Sequence, residues 1–185
     1  NLDETYRLVS YNYKNKGKII KTTFYPKNAI GNNFLKKNVG LISLVDSNIN
    51  TEFKSKEISI KINGKYSFDK GNLLNFKLDN IFKKDLLKLN LDAEYDNQVK
   101  IDFINYNKKK DIVANIYLDL IKRKEKLNIN NIEFKERNNL ISISGVEFTK
   151  GKFTSLEKIS IKTVKDNKKN NDFLLSYGEQ ISING

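Results

Sequence analysis

The sequence predicts an all-β protein, an antiparallel meander of roughly ten strands joined by short polar loops. Two observations carry this prediction. From residue 57 onward apolar and polar residues alternate, and a phrase of the form Ile-x-Ile-x-Gly ends at Gly64, Gly145 and Gly185. The first two of these glycines lie 81 residues apart and the last two lie 40 apart, which suggests stacked β units with a period near 40.

The first 56 residues are less regular than the rest. Residues 8–13 and 18–25 are predicted to form a hairpin, and a strand is expected at 41–45. Between them, residues 27–38 are expected to form one short helix or an irregular crossover. No stretch rich in Gly, Ser or Pro marks a domain boundary. We therefore treat 1–185 as a single segment and expect it to belong to a longer polypeptide.

Loops are predicted where the alternation pauses. Gly64 is expected to adopt a left-handed conformation and close a three-residue loop between two strands. A loop at 96–98 is expected to pair Tyr95 with Val99. The apolar parity slips at Asn130, which predicts a β-bulge there.

Two segments also fit an amphipathic helix. Residues 81–91 and 112–121 carry apolar residues at helical spacing as well as at strand spacing. Their β-branched residues and the long, strict alternation favour strands.

The composition excludes several kinds of chemistry. The chain contains no His, Cys, Met or Trp, so Cys/His zinc sites, haem ligation and Cys or Ser–His nucleophiles lack their residues. The acidic residues stand singly between apolar positions or in turns, and the glycines are isolated. Residues 46–50 lack the glycine and glutamate of a calcium loop. We predict that the protein is not an enzyme and has no catalytic residue, metal or cofactor.

The net charge of +12 admits three interpretations. Lys outnumbers Arg about tenfold, whereas proteins that bind nucleic acid rely on the bidentate contacts of Arg. The lysines are also spread along the whole chain. A/T-rich codons together with lysines that keep the surface soluble account for the charge most simply. Attraction to anionic lipid headgroups ranks second and nucleic acid third, so we predict no nucleic-acid partner.

The predicted sheet has one apolar face and too little helix to cover it. The sheet either folds on itself as a sandwich or barrel, or curls into a groove and leaves the face open. An open face of this size needs an occupant to stay soluble. Acyl chains are suitable occupants, since each buried CH₂ contributes about 0.8 kcal/mol.

Two stretches resemble a known family. Residues 86–103 and 141–163 are similar to the strand pattern of the large AsmA-like proteins of Gram-negative bacteria, in which G-x-x-F/L is followed by L-x-x-I-x-I-x. In this chain the two motifs are Gly145-Val146-Glu147-Phe148 and Leu156-Glu157-Lys158-Ile159-Ser160-Ile161-Lys162. The resemblance covers about residues 57–185.

The resemblance implies a location, partners and a role. An AsmA-like protein is periplasmic, and this one would be anchored to the inner membrane by a segment outside the chain. Its repeating β-groove is thought to carry phospholipids toward the outer membrane. The implied partners are phospholipid acyl chains, neighbouring repeats of the same chain and the membrane. The family supplies no catalytic residues.

We therefore predict a non-enzymatic lipid-conduit segment, a sheet curled into an open groove (a β-taco) with a lysine-rich outside. The residues expected to contact lipid are Leu87, Leu89, Leu91, Ile101, Phe103, Ile112, Ala114, Ile116, Leu118, Ile159 and Ile161. One alternative is a structural or surface β-solenoid or sandwich without ligand, in which these residues are ordinary core. A lipopolysaccharide-bridge-like β-jelly roll or a basic β-barrel binding module is a further alternative.

Overall fold

The computed structural model describes residues 3–5, 9–25, 40–165, 168–177 and 181–184. Strands dominate these residues, together with a single 3₁₀ turn at Asp102–Ile104. Within the described ranges, no helix is long and apolar enough to cross a membrane. The strands are β1 (Asn12–Phe24), β2 (Ile42–Lys54), β3 (Glu57–Phe68), β4 (Leu74–Lys83), β5 (Leu86–Tyr95), β6 (Val99–Ile101), β7 (Tyr106–Lys108), β8 (Ala114–Arg123), β9 (Lys126–Glu136), β10 (Asn139–Thr149), β11 (Lys152–Ser155), β12 (Lys158–Lys165), β13 (Lys168–Tyr177) and β14 (Ile181–Asn184).

Twelve of these strands form one antiparallel sheet that does not close into a barrel. The order is β1-β2-β3-β4-β5-β8-β9-β10-β12-β13-β14, and β11 pairs with the outer part of β10. Strands that follow one another in the chain are therefore neighbours, with two exceptions. β11 and β12 both pair with β10, and an insert at residues 96–113 carries β6 and β7. The predicted all-β antiparallel meander is confirmed.

Two local predictions from the sequence are also confirmed. Residues 81–91 and 112–121 lie mostly in strands β4, β5 and β8, not in helices. The bulge is present as well: Asp119 pairs with Asn131 and Leu120 pairs with Ile129, which leaves Asn130 without a partner across the ladder.

The predicted turn at Gly64 is wrong, because this glycine lies inside β3 and pairs with Phe76 of β4. Its neighbour on the other side is the fully buried Ser47, at an irregularity of β2 where Asp46 has a φ of 45°. A Cβ on Gly64 would lie 2.2 Å from the Ser47 Oγ. Glycine is required here by the close approach of two strands, not by a turn.

Two further predictions near the chain's loops fail. Residues 12–24 form one continuous strand, so the N-terminal hairpin is wrong. Tyr95 pairs with Ala114 of β8, not with Val99, because Val99 begins β6 inside the insert and pairs with Lys108. The short helix expected at 27–38 lies outside the described residues.

The core lies at one end of the strands. There the insert packs against the sheet through Ile104 and Tyr106, and these residues form a buried cluster with Tyr95, Val99 and Ile161. A second cluster of Tyr66, Leu74 and Ala93 lies next to it. The opposite ends of the strands have no comparable buried cluster among the described residues, and this asymmetry shapes the candidate site.

Candidate apolar groove

The register of the sheet aligns apolar residues into rows that cross it. Directly paired residues of an antiparallel ladder point to the same face. Leu91 pairs with Leu78 on one side and with Leu118 on the other. The pairs continue from strand to strand and define the central row: Gly17, Ile49, Ile62, Leu78, Leu91, Leu118, Ile132, Ile143, Ile159 and Leu175. At about 4.8 Å per strand this row is about 43 Å long.

Three more rows lie parallel to the central row on the same face. The outer row, near the ends of the strands, contains Tyr13, Phe53, Ile58, Phe82, Leu87, Lys122, Leu127, Phe148 and Phe153. The intermediate row contains Asn15, Thr51, Ile60, Asn80, Leu89, Leu120, Ile129 and Val146. The inner row, toward the insert, contains Phe76, Ala93, Ile116, Phe134, Ile141, Ile161 and Phe173.

Most residues of the outer, intermediate and central rows keep part of their surface exposed, although Val146 and the Asn80 Oδ1 are buried. Leu91 and Leu118 are only half-buried although strands flank them on both sides. In the outer row Phe82 is 41% exposed and Phe153 is 58% exposed. Since the flanking strands cover the sides of a strand residue, the remaining exposure of Leu91 and Leu118 lies above the sheet. The central row also borders the buried clusters, since Leu91 and Ile159 pack against them.

The size of this open face is unusual. The intermediate row is about 34 Å long and the outer row about 38 Å, so at about 6.7 Å per row the three rows give a footprint on the order of 800 Å². This footprint includes the polar residues Asn15, Thr51, Asn80 and Lys122. The largest apolar patch on an ordinary soluble monomer covers roughly 300–600 Å², and larger patches mark binding sites. The open face is therefore the candidate functional site of the chain.

The inner row is covered by the insert, which forms one side of the groove. Ile104 and Tyr106 are both 4% exposed, and the Tyr106 ring meets the Phe134 ring edge-on at 6.1 Å between centroids. The Asn171 Nδ2 donates to the Ile104 carbonyl at 2.7 Å and to the Thr163 Oγ1 at 2.7 Å. These contacts fix the insert to β12 and β13.

A polar network supports the insert from below. The buried Glu136 carboxylate accepts hydrogen bonds from the Tyr106 hydroxyl at 3.2 Å and from the Asn139 Nδ2 at 2.6 Å. Burial raises the pKa of Tyr106, and the nearby charge of Glu136 raises it further. The Asn139 Oδ1 in turn accepts the Val164 N–H at 2.7 Å. This network joins the insert to β9, β10 and β12.

Lys108 is the most deeply buried charged residue of the insert, with 1% of its surface exposed. Its Nζ donates to the Asn97 carbonyl at 2.7 Å and lies 5.6 Å from the centre of the Tyr95 ring. Burial lowers the pKa of Lys108, and the charges of Asp96, Glu136 and Asp111 oppose that shift. Lys108 therefore stabilises the fold of the insert itself, because it donates to a backbone carbonyl within the insert.

The structure brings together only part of the predicted set of lipid-contacting residues. Leu87, Leu89, Leu91 and Leu118 lie half-buried in the outer, intermediate and central rows. Ile159 belongs to the central row and also packs against the buried cluster at the insert. Ala114, Ile116 and Ile161 lie at the end of the face that the insert covers, and Ala114 is fully buried.

The remaining three predicted residues belong to the insert. Ile101 packs toward the buried cluster. Ile112 lies at a cavity of about 580 Å³ between the insert and the turn that contains Arg137. Phe103 is 77% exposed on the 3₁₀ turn and does not share the apolar face. Ile101 and Phe103 differ from the prediction because Val99 does not pair with Tyr95. Ile112 differs because β8 begins only at Ala114.

Sequence reasoning missed several members of the open face. Ile49, Ile132, Ile143 and Leu175 complete the central row, and the aromatic residues of the outer row were not included. Their alternation is visible in the sequence, but bulges shift the phase of β2, β9 and β10. Only the observed register places them on one face.

Neither a group of metal-binding residues in the described part of the chain nor a similar protein indicates a second candidate site. Among the described ranges, no group of three or more acidic residues could hold a metal ion. Comparisons with family models, curated proteins and solved structures gave no match to this chain. Its function is therefore inferred from the geometry of the groove.

Proposed function

We propose that this chain is a non-enzymatic segment of a lipid conduit, in which acyl chains of phospholipids lie along the open face. The observation that carries the proposal is the central row, an apolar path of about 43 Å at the strand spacing of a sheet. Every residue of this path from Ile49 to Leu175 keeps part of its surface exposed.

The energetics suit transport as well as binding. An acyl chain of about 16 CH₂ groups gains about 13 kcal/mol on leaving water for an apolar surface. A bilayer offers a similar gain, so a chain moves between bilayer and groove at small net cost. The path is longer than one acyl layer, which is about 15 Å or half the hydrocarbon thickness of a bilayer. More than one lipid can therefore occupy the groove at once.

The resemblance to AsmA-like proteins supplies the cellular setting of the proposal. On this proposal the chain works in the periplasm, anchored to the inner membrane by a segment outside residues 1–185. Neighbouring repeats of the same polypeptide extend the groove and carry phospholipid between the inner and outer membranes. The insert at 96–113 acts as one wall of the groove.

Site-specific photocrosslinking tests the proposal with adjacent residues. Leu118 lies in the central row, while Tyr117 points to the opposite face, where it pairs with Asp92 and Glu133. A photoreactive p-benzoylphenylalanine at each position, in protein expressed in a Gram-negative periplasm, should give lipid adducts at 118 and none at 117. Mass spectrometry of the irradiated protein measures both.

A second comparison uses substitution instead of crosslinking. Leu118→Asn should remove co-purifying phospholipid from native mass spectra, whereas Tyr117→Asn, with the same new side chain on the other face, should retain it. Circular dichroism checks that both variants keep the sheet. Protein that is free of lipid, with no adduct at position 118, would reject the conduit and support the structural β-solenoid.

A further inference from the structure

One edge of the open face is lined by four hairpin turns, which we call the basic rim: residues 54–57, 83–86, 123–126 and 149–152. The ladder sets them side by side, because Leu86 pairs with Arg123 and Lys126 pairs with Thr149. Backbone hydrogen bonds also link adjacent turns. The Lys124 N–H donates to the Asp85 carbonyl at 3.1 Å, and the Lys150 N–H donates to the Glu125 carbonyl at 2.9 Å.

The basic rim holds a large share of the protein's positive charge. Its four turns contain nine Lys or Arg residues and three acidic ones, a surplus of six out of the chain's net +12. The described turns at the opposite strand ends, residues 69–73, 96–113 and 136–139, contain six basic and five acidic residues. The excess charge is therefore concentrated on one edge of the groove.

Most of the rim cations lack an acidic partner. Lys54, Lys126 and Lys150 form ion pairs with nearby glutamates at 3.0–3.9 Å. The other six rim cations have no ion pair within the part of the chain that the structure describes; they are Lys56, Lys83, Lys84, Arg123, Lys124 and Lys152. Turns about 10 Å apart, two strand spacings, thus present unpaired cations at regular intervals.

Three rim lysines stand at backbone positions that favour other residues. Lys84, Lys124 and Lys150 have φ values of 50°, 52° and 53°, in the left-handed region. Asparagine and glycine adopt this conformation with less strain than lysine. Asparagine codons are as rich in A and T as lysine codons, and the chain uses asparagine freely. Lysine nevertheless stands at the left-handed position in three successive turns of the rim, as Lys70 and Arg137 do at the opposite strand ends.

Aromatic residues lie directly below the basic rim. Phe82, Phe148 and Phe153 belong to the outer row, and the rings of Phe148 and Phe153 meet edge-on at 6.0 Å. Moving from the groove floor outward, the face changes from aliphatic to aromatic to cationic. A phospholipid has the matching order of acyl chain, interfacial region and phosphate, the region where membrane proteins place aromatic and basic residues.

Building on the acyl-chain binding proposed above, we infer that the basic rim binds the anionic headgroups of lipids whose chains lie in the groove. The protein then selects lipids with a net negative headgroup over zwitterionic lipids with the same chains. The aliphatic rows contribute affinity for any acyl chain, and the rim contributes the preference among headgroups.

The test compares two short-chain lipids below their micelle concentration, dihexanoyl phosphatidylglycerol and dihexanoyl phosphatidylcholine. By titration calorimetry at physiological ionic strength, the anionic lipid should bind about tenfold more tightly, the effect of one or two exposed charge pairs. The triple variant K84N/K124N/K150N should lose this preference to within about twofold and keep its affinity for phosphatidylcholine. Asparagine fits the left-handed positions, so the turns should fold normally.

A matched control removes the same charge elsewhere. Lys61, Lys88 and Lys135 are exposed on the opposite face of the sheet, and K61N/K88N/K135N should keep the preference for phosphatidylglycerol. Equal losses in the two triple variants would mean that net charge alone is responsible, and would overturn the inference. Equal affinity of the unmodified protein for both lipids would do the same while leaving the groove intact.

Two further arms separate the sources of phosphate. Inorganic phosphate alone should give no measurable heat; binding as tight as that of phosphatidylglycerol would mean a free-anion site and contradict the rim's link to the groove. Flotation with phosphatidylglycerol vesicles, without binding of either monomeric lipid, would indicate docking to a membrane surface and overturn the inference. Failure to bind either lipid in any form would instead reject the proposed function itself.

Discussion

Replacing Gly64 with alanine tests the close contact between β2 and β3. The new Cβ would lie 2.2 Å from the Ser47 Oγ and 2.4 Å from the Ser47 Cα. Ser47 is fully buried, so its side chain has no free space to move into. The strand backbone itself must shift. We expect a loss of about 3 kcal/mol in the free energy of unfolding, at the upper end for an overpacked site.

Urea unfolding followed by circular dichroism measures this loss. With a slope of about 2 kcal/mol per molar urea, the midpoint should fall by about 1.5 M. Gly151→Ala is the matched control, because a Cβ there has no heavy atom within 4 Å although φ is +73°. Its backbone strain alone should cost about 1 kcal/mol.

The two glycine variants must therefore differ. A Gly64→Ala protein as stable as the Gly151→Ala protein would refute the strand contact and revive a turn at Gly64. Adding Ser47→Gly to Gly64→Ala removes the clash with the side chain but not with the Cα. The double variant should recover part of the loss, which a double-mutant cycle resolves as a coupling between the two positions.

Three further predictions follow from buried polar groups. Burial and Glu136 raise the pKa of Tyr106, so the folded state keeps a proton that the unfolded state loses above about pH 10. The contribution of this group to stability is complete below that pH. Above it, the free energy of unfolding should fall by about 1.4 kcal/mol per pH unit. Urea melts across this range should show a shallower fall for Tyr106→Phe, and an unchanged slope would contradict the assignment. Asn171→Ala removes the donor to the Ile104 carbonyl and should cost about 1–2 kcal/mol, with faster hydrogen exchange in the insert but not in β3. The Asn80 Oδ1 is buried with no partner in the described structure. Asn80→Leu should therefore raise the free energy of unfolding by about 1 kcal/mol, which is measured as a higher urea midpoint, and a lower midpoint would contradict this.

The strands could be predicted because a period of two is a local property. Ile112, Ile116 and Leu120 also fit a helix, but the alternation continues over ten residues, and β8 occupies most of that stretch. The bulge at Asn130 was visible for the same reason, as a change of parity within one segment. The local pattern was sufficient to predict features that do not depend on which strands pair with each other.

Pairing across long loops could not be predicted. Two pairings of Tyr95 fit the sequence equally well. A three-residue loop would pair Tyr95 with Val99, and a long connection pairs it with Ala114, and both keep the apolar residues of the two strands on one face. Gly64 presents the same ambiguity, because a glycine suits a left-handed turn and a tight strand contact equally well. The phrase that ends in Gly145 lies inside β10, where the glycine has a φ of +66° opposite Glu157.

The residues of the candidate groove could likewise be predicted where they depend on one strand, but not where they depend on which strands pair. Leu89, Leu91 and Leu118 were predicted from their stripes and do lie on the open face. The concentration of charge in the basic rim depends on which turns become neighbours. Lys84 and Lys124 are 40 residues apart in the chain, and only the pairing of β5 with β8 sets their turns side by side.

The hydrogen bond from Asn171 to the Ile104 carbonyl joins residues 67 positions apart. Almost every strand pairs with one that precedes it closely, so the sheet can assemble progressively as the polypeptide is made. The insert has to wait for β13 before it can dock. At a synthesis rate of roughly 10 residues per second, this delay is about 7 s. During that interval the apolar residues beneath the insert remain exposed to solvent. A nascent chain at this stage is therefore the form most prone to aggregation and most suited to recognition by a chaperone.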